Sequence, residues 1–382
     1  MWDPLCGAEY DVGQLESRTT SGAQSMQRSL WISFALFVCF SLSTLAEQIQ
    51  QPAENTVAEP GGRTISLIVN VTDKSGKPVA GLSASDFTLL DDNRPSKVVA
   101  FHAYDGSTQE PDPPIEAIVL FDTVNQNFLE VSYARQQVEN FLRQNGGHLP
   151  VSTAIYWLTN DGVQAQSEPT RDGNALAAQL EASDSRLRTI NRSSGAYGAI
   201  ELFNLSTKML FTVAQNEAKK PGRKLLIWAG PGWPMLDSVN FDFSRKTEQV
   251  LFGQIIDMSA VMREGHIDLY SISQGTSGPG TFRYESYLKG VKKVYQAVPA
   301  NLSLKVIAVQ SGGLVLPPTN DLAGSVATCM QDATVFYTLT FEPQPADGPN
   351  EYHDLKLTLD KPGLTARTNT GYYAQPAGPA AP

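Results

Sequence analysis

The sequence predicts an α/β protein: a doubly wound, mostly parallel sheet, with a small N-terminal β module before it and a C-terminal β hairpin after it. Three observations carry this reading. The apolar run at 115–121 (IEAIVLF) suits a central strand buried on both faces. Strand-like and helix-like segments then alternate as far as 343, the pattern of parallel strands joined by crossover helices. Before them, residues 64–72 (TISLIVNVT) alternate apolar and polar with period two, as a half-buried strand does.

In chain order, residues 1–25 hold Asp3, Glu9, Asp11 and Glu16 without apolar periodicity and read as a mis-set start. Residues 26–46 read as a secretory signal peptide: Arg28 near the start, an uncharged run over 30–42, and small residues up to Ala46. That run is shorter than the ~20 apolar residues of a membrane span, so no stable span is expected after cleavage. An uncleaved signal anchor is the alternative. Residues 47–62, rich in Gln, Pro, Glu and Gly, form a linker. The β module occupies 63–106, with a turn at 73–78, a capped helical turn at 83–86, and strands at 87–90 and 97–101 joined through Asp91-Asp92-Asn93, read as a solvated turn. At about 45 residues it needs to pack on a neighbour. Three prolines stiffen the linker 107–114.

The larger domain runs over 115–343. After its first strand, a helix over 129–144 places Val131, Ala134, Val138, Phe141 and Leu142 on one face and stops at Asn145-Gly146-Gly147. Strands follow at 151–158, 224–228 and 267–272. Helices follow at 174–182, 199–215, 244–264, 301–310 and 321–332, with Gly265 in the C′ position of the third. A last sheet strand is expected at 335–341. The hairpin, within 350–375, pairs 352–359 with 364–372, and 376–382 is a tail. Ligands of such sheets bind outside the carboxyl ends of the strands. That edge is built here from 122–127, 159–161, 229–233 and 273–275.

Composition excludes some functions. The chain has 382 residues, 29 Lys+Arg against 39 Asp+Glu and a formal charge of −10, so a basic nucleic-acid footprint is not expected. Three cysteines occur, Cys6, Cys39 and Cys329. Signal cleavage removes the first two and leaves no intrachain disulfide. The four histidines, His102, His148, His266 and His353, show no zinc-ligand spacing, and no phosphate-binding loop or nucleophile elbow is present.

A first strand ending in Asp122 within this strand–helix order resembles a von Willebrand factor type A domain. More narrowly, the chain resembles the VWFA-related family described from Acidobacteria. The matching words are VTDKSGKPVAGLSASDF (71–87), IVLFDTVN (118–125), PGRKLLIWAGPGWP (221–234), SGGLV (311–315), FYTLTFEP (336–343) and YHDLKLTLDKPGLTARTNTGYYA (352–374). The resemblance implies a Rossmann-type sheet and, in general, a Mg²⁺ site built from an Asp-x-Ser-x-Ser run, a Thr and a second Asp. Here Asp122 matches the first acid, but Val124 and Gln126 stand at the two serines and Ala229-Gly230 at the second Asp. No metal or other cofactor is therefore expected, with retained Mg²⁺ as the alternative. The competing reading of Asp122 is structural: it caps the helix or accepts from neighbouring backbone amides.

The resulting expectation is an exported, non-enzymatic adhesion-type scaffold, secreted or periplasmic. It binds an unidentified protein or matrix partner at the cell envelope through Asp122, Thr123, Asn125 and Trp233. The rivals are a metal-dependent adhesion domain and an exported hydrolase with a split site.

Overall fold

The computed structural model describes residues 64–106, 114–165, 168–182, 195–236, 244–275 and 283–376. The signal segment, the linker 47–62, nearly all of 107–114, and Cys6 and Cys39 lie outside the described residues. Among those described, no helix is long and apolar enough to cross a membrane.

Four strands come first: β1 (Ile65–Thr72), β2 (Phe87–Asp91), β3 (Arg94–Pro95) and β4 (Val98–Tyr104). Then come β5 (Ile115–Asp122), α1 (Phe128–Leu142), β6 (His148–Thr159), β7 (Gly162–Ala165), β8 (Thr170–Asp172), α2 (Gly173–Ala182), α3 (Ala196–Glu217), β9 (Arg223–Ala229), α4 (Arg245–Glu264), β10 (Ile267–Ile272), α5 (Leu304–Gln310) and α6 (Leu322–Gln331). The chain ends with β11 (Phe336–Phe341), β12 (Glu351–Leu359), β13 (Thr365–Arg367) and β14 (Gly371–Ala374).

The central sheet has the order β10-β9-β5-β6-β7, with β8 also pairing β6. Strands β10, β9, β5 and β6 are parallel, and β7 and β8 run antiparallel. As the unbroken apolar run requires, β5 is buried on both faces. Val119 and Phe121 pack with Val131, Val138 and Val326 of α1 and α6. Ile118 and Leu120 pack on the other face with Phe203, Met258 and Ile307 of α3, α4 and α5. Beyond β10, the expected release of the chain after Gly313 places Val315 in a parallel bridge to Ser271.

The strands outside this sheet are arranged differently from the expectation. The segment at 335–341 is not its last strand. As β11 it lies in a separate four-stranded sheet, β13-β1-β11-β4, between two antiparallel neighbours. Its sequence FYTLTF leaves Thr338 and Thr340 half-buried and buries Tyr337, Leu339 and Phe341, which suits a one-sided antiparallel strand. The expected pairing of 352–359 with 364–372 forms only at its ends, where His353 and Asp354 oppose Tyr372 and Gly371. β12 pairs with β2 and β14, while β13 crosses to β1, so β12 and β13 are not hairpin partners. A second sheet, β14-β12-β2-β3, results.

The two sheets share one core in which Leu67, Val69, Phe87, Leu89, Tyr337 and Phe341 meet. The N-terminal β segment is therefore half of an eight-stranded sandwich, and the α/β body is inserted between β4 and β11. This is the neighbour that a 45-residue module requires.

A buried charged cluster joins the insert to the sandwich. Arg223 at the start of β9 donates to Asp268 (2.6 and 3.1 Å), to the Asp332 carbonyl (2.6 Å) and to Asn70 of β1 (2.8 Å). Arg367 of β13 forks onto both Asp332 oxygens (2.9 and 2.8 Å), and Tyr270 donates to the same carboxylate (2.7 Å). Asp91, expected in a solvated turn, is fully buried and accepts from Tyr372 (2.7 Å), with His353 Nδ1 at 2.9 Å. The turn itself falls on Asp92 and Asn93, both at positive φ.

Candidate functional site

Strand β5 delivers Asp122 to the carboxyl edge of the sheet. The side chain has no exposed surface. Its Oδ1 accepts from the amides of Val124 (3.1 Å) and Asn125 (3.0 Å). Its Oδ2 accepts from the indole Nε1 of Trp228 (3.0 Å), one strand away on β9. Asn125 Nδ2 lies 3.0 and 2.9 Å from the two carboxylate oxygens and 3.0 Å from Ser206 Oγ on α3. Gly230 closes the remaining side, since a Cβ there would lie 2.6 Å from the Cβ of Asp122. Burial raises the Asp122 carboxyl above its usual range, opposed by these donors.

The neighbouring polar groups are committed in the same way. Thr123 Oγ1 donates to the Leu158 carbonyl (2.6 Å), and Gln126 Nε2 ties the Asp122 carbonyl (2.6 Å) to that of Ala229 (3.3 Å). Helix α1 starts from a reciprocal capping box, in which Glu130 N donates to Asn127 Oδ1 (3.0 Å) and Asn127 N to Glu130 Oε2 (2.9 Å).

A hard divalent cation needs several free oxygens in near-octahedral array. This edge offers one carboxylate with both oxygens occupied by N–H donors, and Asn125 turns its amide nitrogen, not its oxygen, toward Asp122 and Ser206. The residues do not fit a metal. Among the described residues, no cluster of three His, Cys, Asp or Glu side chains is arranged to hold one elsewhere.

Of the four residues expected to form the binding face, Asp122, Thr123 and Trp233 are buried and Asn125 is half-buried. Trp233 packs edge-on against Trp228 (5.5 Å between centroids) and donates to the Leu302 carbonyl (3.2 Å). Together they form the floor of the edge rather than a contact surface. What the edge exposes instead is Phe128 (47%) and Leu129 (76%) on the first turn of α1, and Tyr197 (85%) on the first turn of α3. Tyr197 lies nine residues before Ser206, which meets Asn125, and so about 13 Å along α3 from that contact. One sequence signal marks Leu129. It falls outside the apolar series Val131, Ala134, Val138 and Leu142 that α1 buries.

No family model matches the chain, and no curated protein matches it. Among solved structures, the VWA domain of SpRpn10 aligns over 56% of this chain and 93% of that one, at 13% identity and a TM-score of 0.29. The pilus adhesin SpaC from Lactobacillus rhamnosus GG aligns over 78% of this chain and 49% of that one, at 10% identity and a TM-score of 0.31. The N-terminal domain of TFIIH p34 aligns over 57% and 96%, at 13% identity and a TM-score of 0.27.

Proposed function

We propose that this protein is an exported, non-enzymatic binding scaffold of the VWFA-related type. On this reading the sheet edge above Asp122 docks a protein or matrix partner at the cell envelope without a metal. One observation carries the reading: the Asp122 carboxylate is taken up by Asn125 and neighbouring N–H groups, while Phe128, Leu129 and Tyr197 stand exposed at the helix starts of that edge. Large exposed apolar side chains at helix starts suit anchoring to a partner better than chemistry. Export rests on the signal-like segment 26–46.

Capture from host envelope extracts tests this with wild type and with a Leu129→Ser/Tyr197→Ser variant, each in Mg²⁺ and in EDTA. The expected outcome is capture by wild type in both conditions, lost in the variant. Capture abolished by EDTA, or unchanged in the variant, rejects metal-free docking through this edge.

A further inference from the structure

The connection between β10 and α5 runs over 273–303, and its described part winds through three short 3₁₀ turns, Arg283–Tyr287, Val294–Gln296 and Pro299–Leu302. Connections this long are uncommon in compact domains and commonly carry function. Together with Asp354 of β12 the segment borders an open groove of about 700 Å³, whose walls include Tyr287, Lys289, Lys292, Gln296 and Asn301. That is the size of a small-molecule site. The amides and charges of this groove are set to donate. Gln296 Oε1 accepts from the amides of Lys292 (3.1 Å) and Lys293 (3.0 Å), and Asn301 Oδ1 accepts from the amide of Val298 (2.9 Å). Backbone N–H groups thus hold both side-chain oxygens and leave both NH₂ groups as donors. Neither NH₂ group has a partner among the described residues, although Asn301 is only 7% exposed.

Charge narrows the ligand further. Lys292 is held by Asp354 (3.1 Å) and Asp92 (3.8 Å), so the one carboxylate on the groove wall is already engaged. Lys289 on the wall and Lys293 next to Lys292 in the chain are exposed and have no carboxylate partner among the described residues. In a chain of formal charge −10, this groove carries surplus positive charge. We infer that it binds an acidic saccharide: a carboxylate on Lys289, ring and hydroxyl oxygens accepting from Gln296 and Asn301, and a sugar face against half-buried Tyr287. A peptide fits less well. It brings an N–H at each residue, and the groove has no free carboxylate or amide oxygen to receive it. Sugar hydroxyls accept with their own protons turned to water. One unpartnered lysine on the wall matches the single charge of a carboxylate rather than a phosphate dianion. The site uses other residues than the edge above Asp122 and does not depend on the function proposed for it.

Titration calorimetry of the full chain tests the inference with three probes: tetragalacturonate, the uncharged tetrasaccharide maltotetraose, and end-blocked tetraglutamate as an acidic peptide. Saturable binding of tetragalacturonate is expected, tighter than either of the others by about tenfold or more. Lys289→Ala and Gln296→Glu should each weaken it about tenfold. Gln296→Glu keeps the oxygen that the Lys292 and Lys293 amides use and replaces the NH₂ donor with an anionic oxygen. Both positions are exposed, so the fold is expected to be retained, as circular dichroism checks. Absence of tetragalacturonate binding, equal binding of maltotetraose or tetraglutamate, or tetragalacturonate binding unchanged in either variant would each overturn the inference.

Discussion

The Asp122 carboxylate is fully desolvated, yet four N–H groups from Val124, Asn125 and Trp228 surround it. A buried acceptor with its donors in place is nearly neutral for stability, but removing one donor exposes the desolvation penalty. Trp228→Phe keeps most of the ring packing and takes away one hydrogen bond to Oδ2. It is expected to cost about 1–3 kcal/mol in urea unfolding. A cost within error would show that the indole contributes packing alone. The role of Asp122 itself is partly legible in the sequence, because an Asp at a strand end followed by a helix start accepts from the next amides. Trp228 as its partner is not legible. Nothing local says that Trp228 and Leu120 are register neighbours on adjacent strands, 108 positions apart in sequence. Trp233 shows the opposite error: a Trp in a Gly/Pro turn looks exposed, but its ring fills the space under Trp228.

Strands and helices were readable because each rests on local period and punctuation. Which sheet a strand joins was not, because that depends on distant partners. The segment FYTLTF reads as a strand in either sheet, and only its Thr alternation marks the one-sided environment it occupies. The end of α4 is a finer case. Gly265, expected to take the left-handed C′ conformation, is helical at φ −80°, and His266 takes the left-handed position at φ 49°. Gly265 is instead fixed by crowding, since a Cβ there would lie 2.9 Å from the Val261 carbonyl and 3.0 Å from Ala218 Cβ.

Burial, then the charges of Lys224, Arg263 and Arg223, hold the His266 imidazole below its ordinary 6.5. The unfolded chain therefore binds the proton more tightly than the native one. Stability is unaffected well above pH 6.5 and falls as pH drops from there toward the lowered native value. Asn tolerates the left-handed conformation and does not titrate. His266→Asn should therefore lose less stability than wild type between pH 8 and pH 5, as read from urea midpoints at both. Equal losses would mean that His266 is not the group responsible.

At the scale of the molecule, two chain crossings connect the α/β insert to the sandwich, and the charged cluster turns these connections into a fixed junction. Asp332 caps α6 just before β11, and three groups hold it: Arg367 from the sandwich, Tyr270 from β10, and Arg223 on its carbonyl. Breaking a buried pair leaves a charge without compensation, at about 3–5 kcal/mol, so the junction opposes separate unfolding of the two bodies. With Trp2 and Trp31 of the N-terminal segment replaced by Phe, the three remaining of the five tryptophans allow a direct test. Trp157, Trp228 and Trp233 lie in the insert, and none falls within the sandwich strands. Tryptophan fluorescence thus follows the insert, while far-ultraviolet circular dichroism follows both bodies. In this background the two urea transitions are expected to coincide, as in one cooperative unit. Arg367→Met removes the fork from Asp332 and keeps much of the side-chain volume. It is expected to destabilise by about 3–5 kcal/mol and to separate the two transitions. Coincident transitions in the variant would mean that apolar contact alone couples the bodies. Two separate transitions already in the background with Arg367 intact would mean that the cluster does not couple them, and that the insert folds as an independent guest of the sandwich.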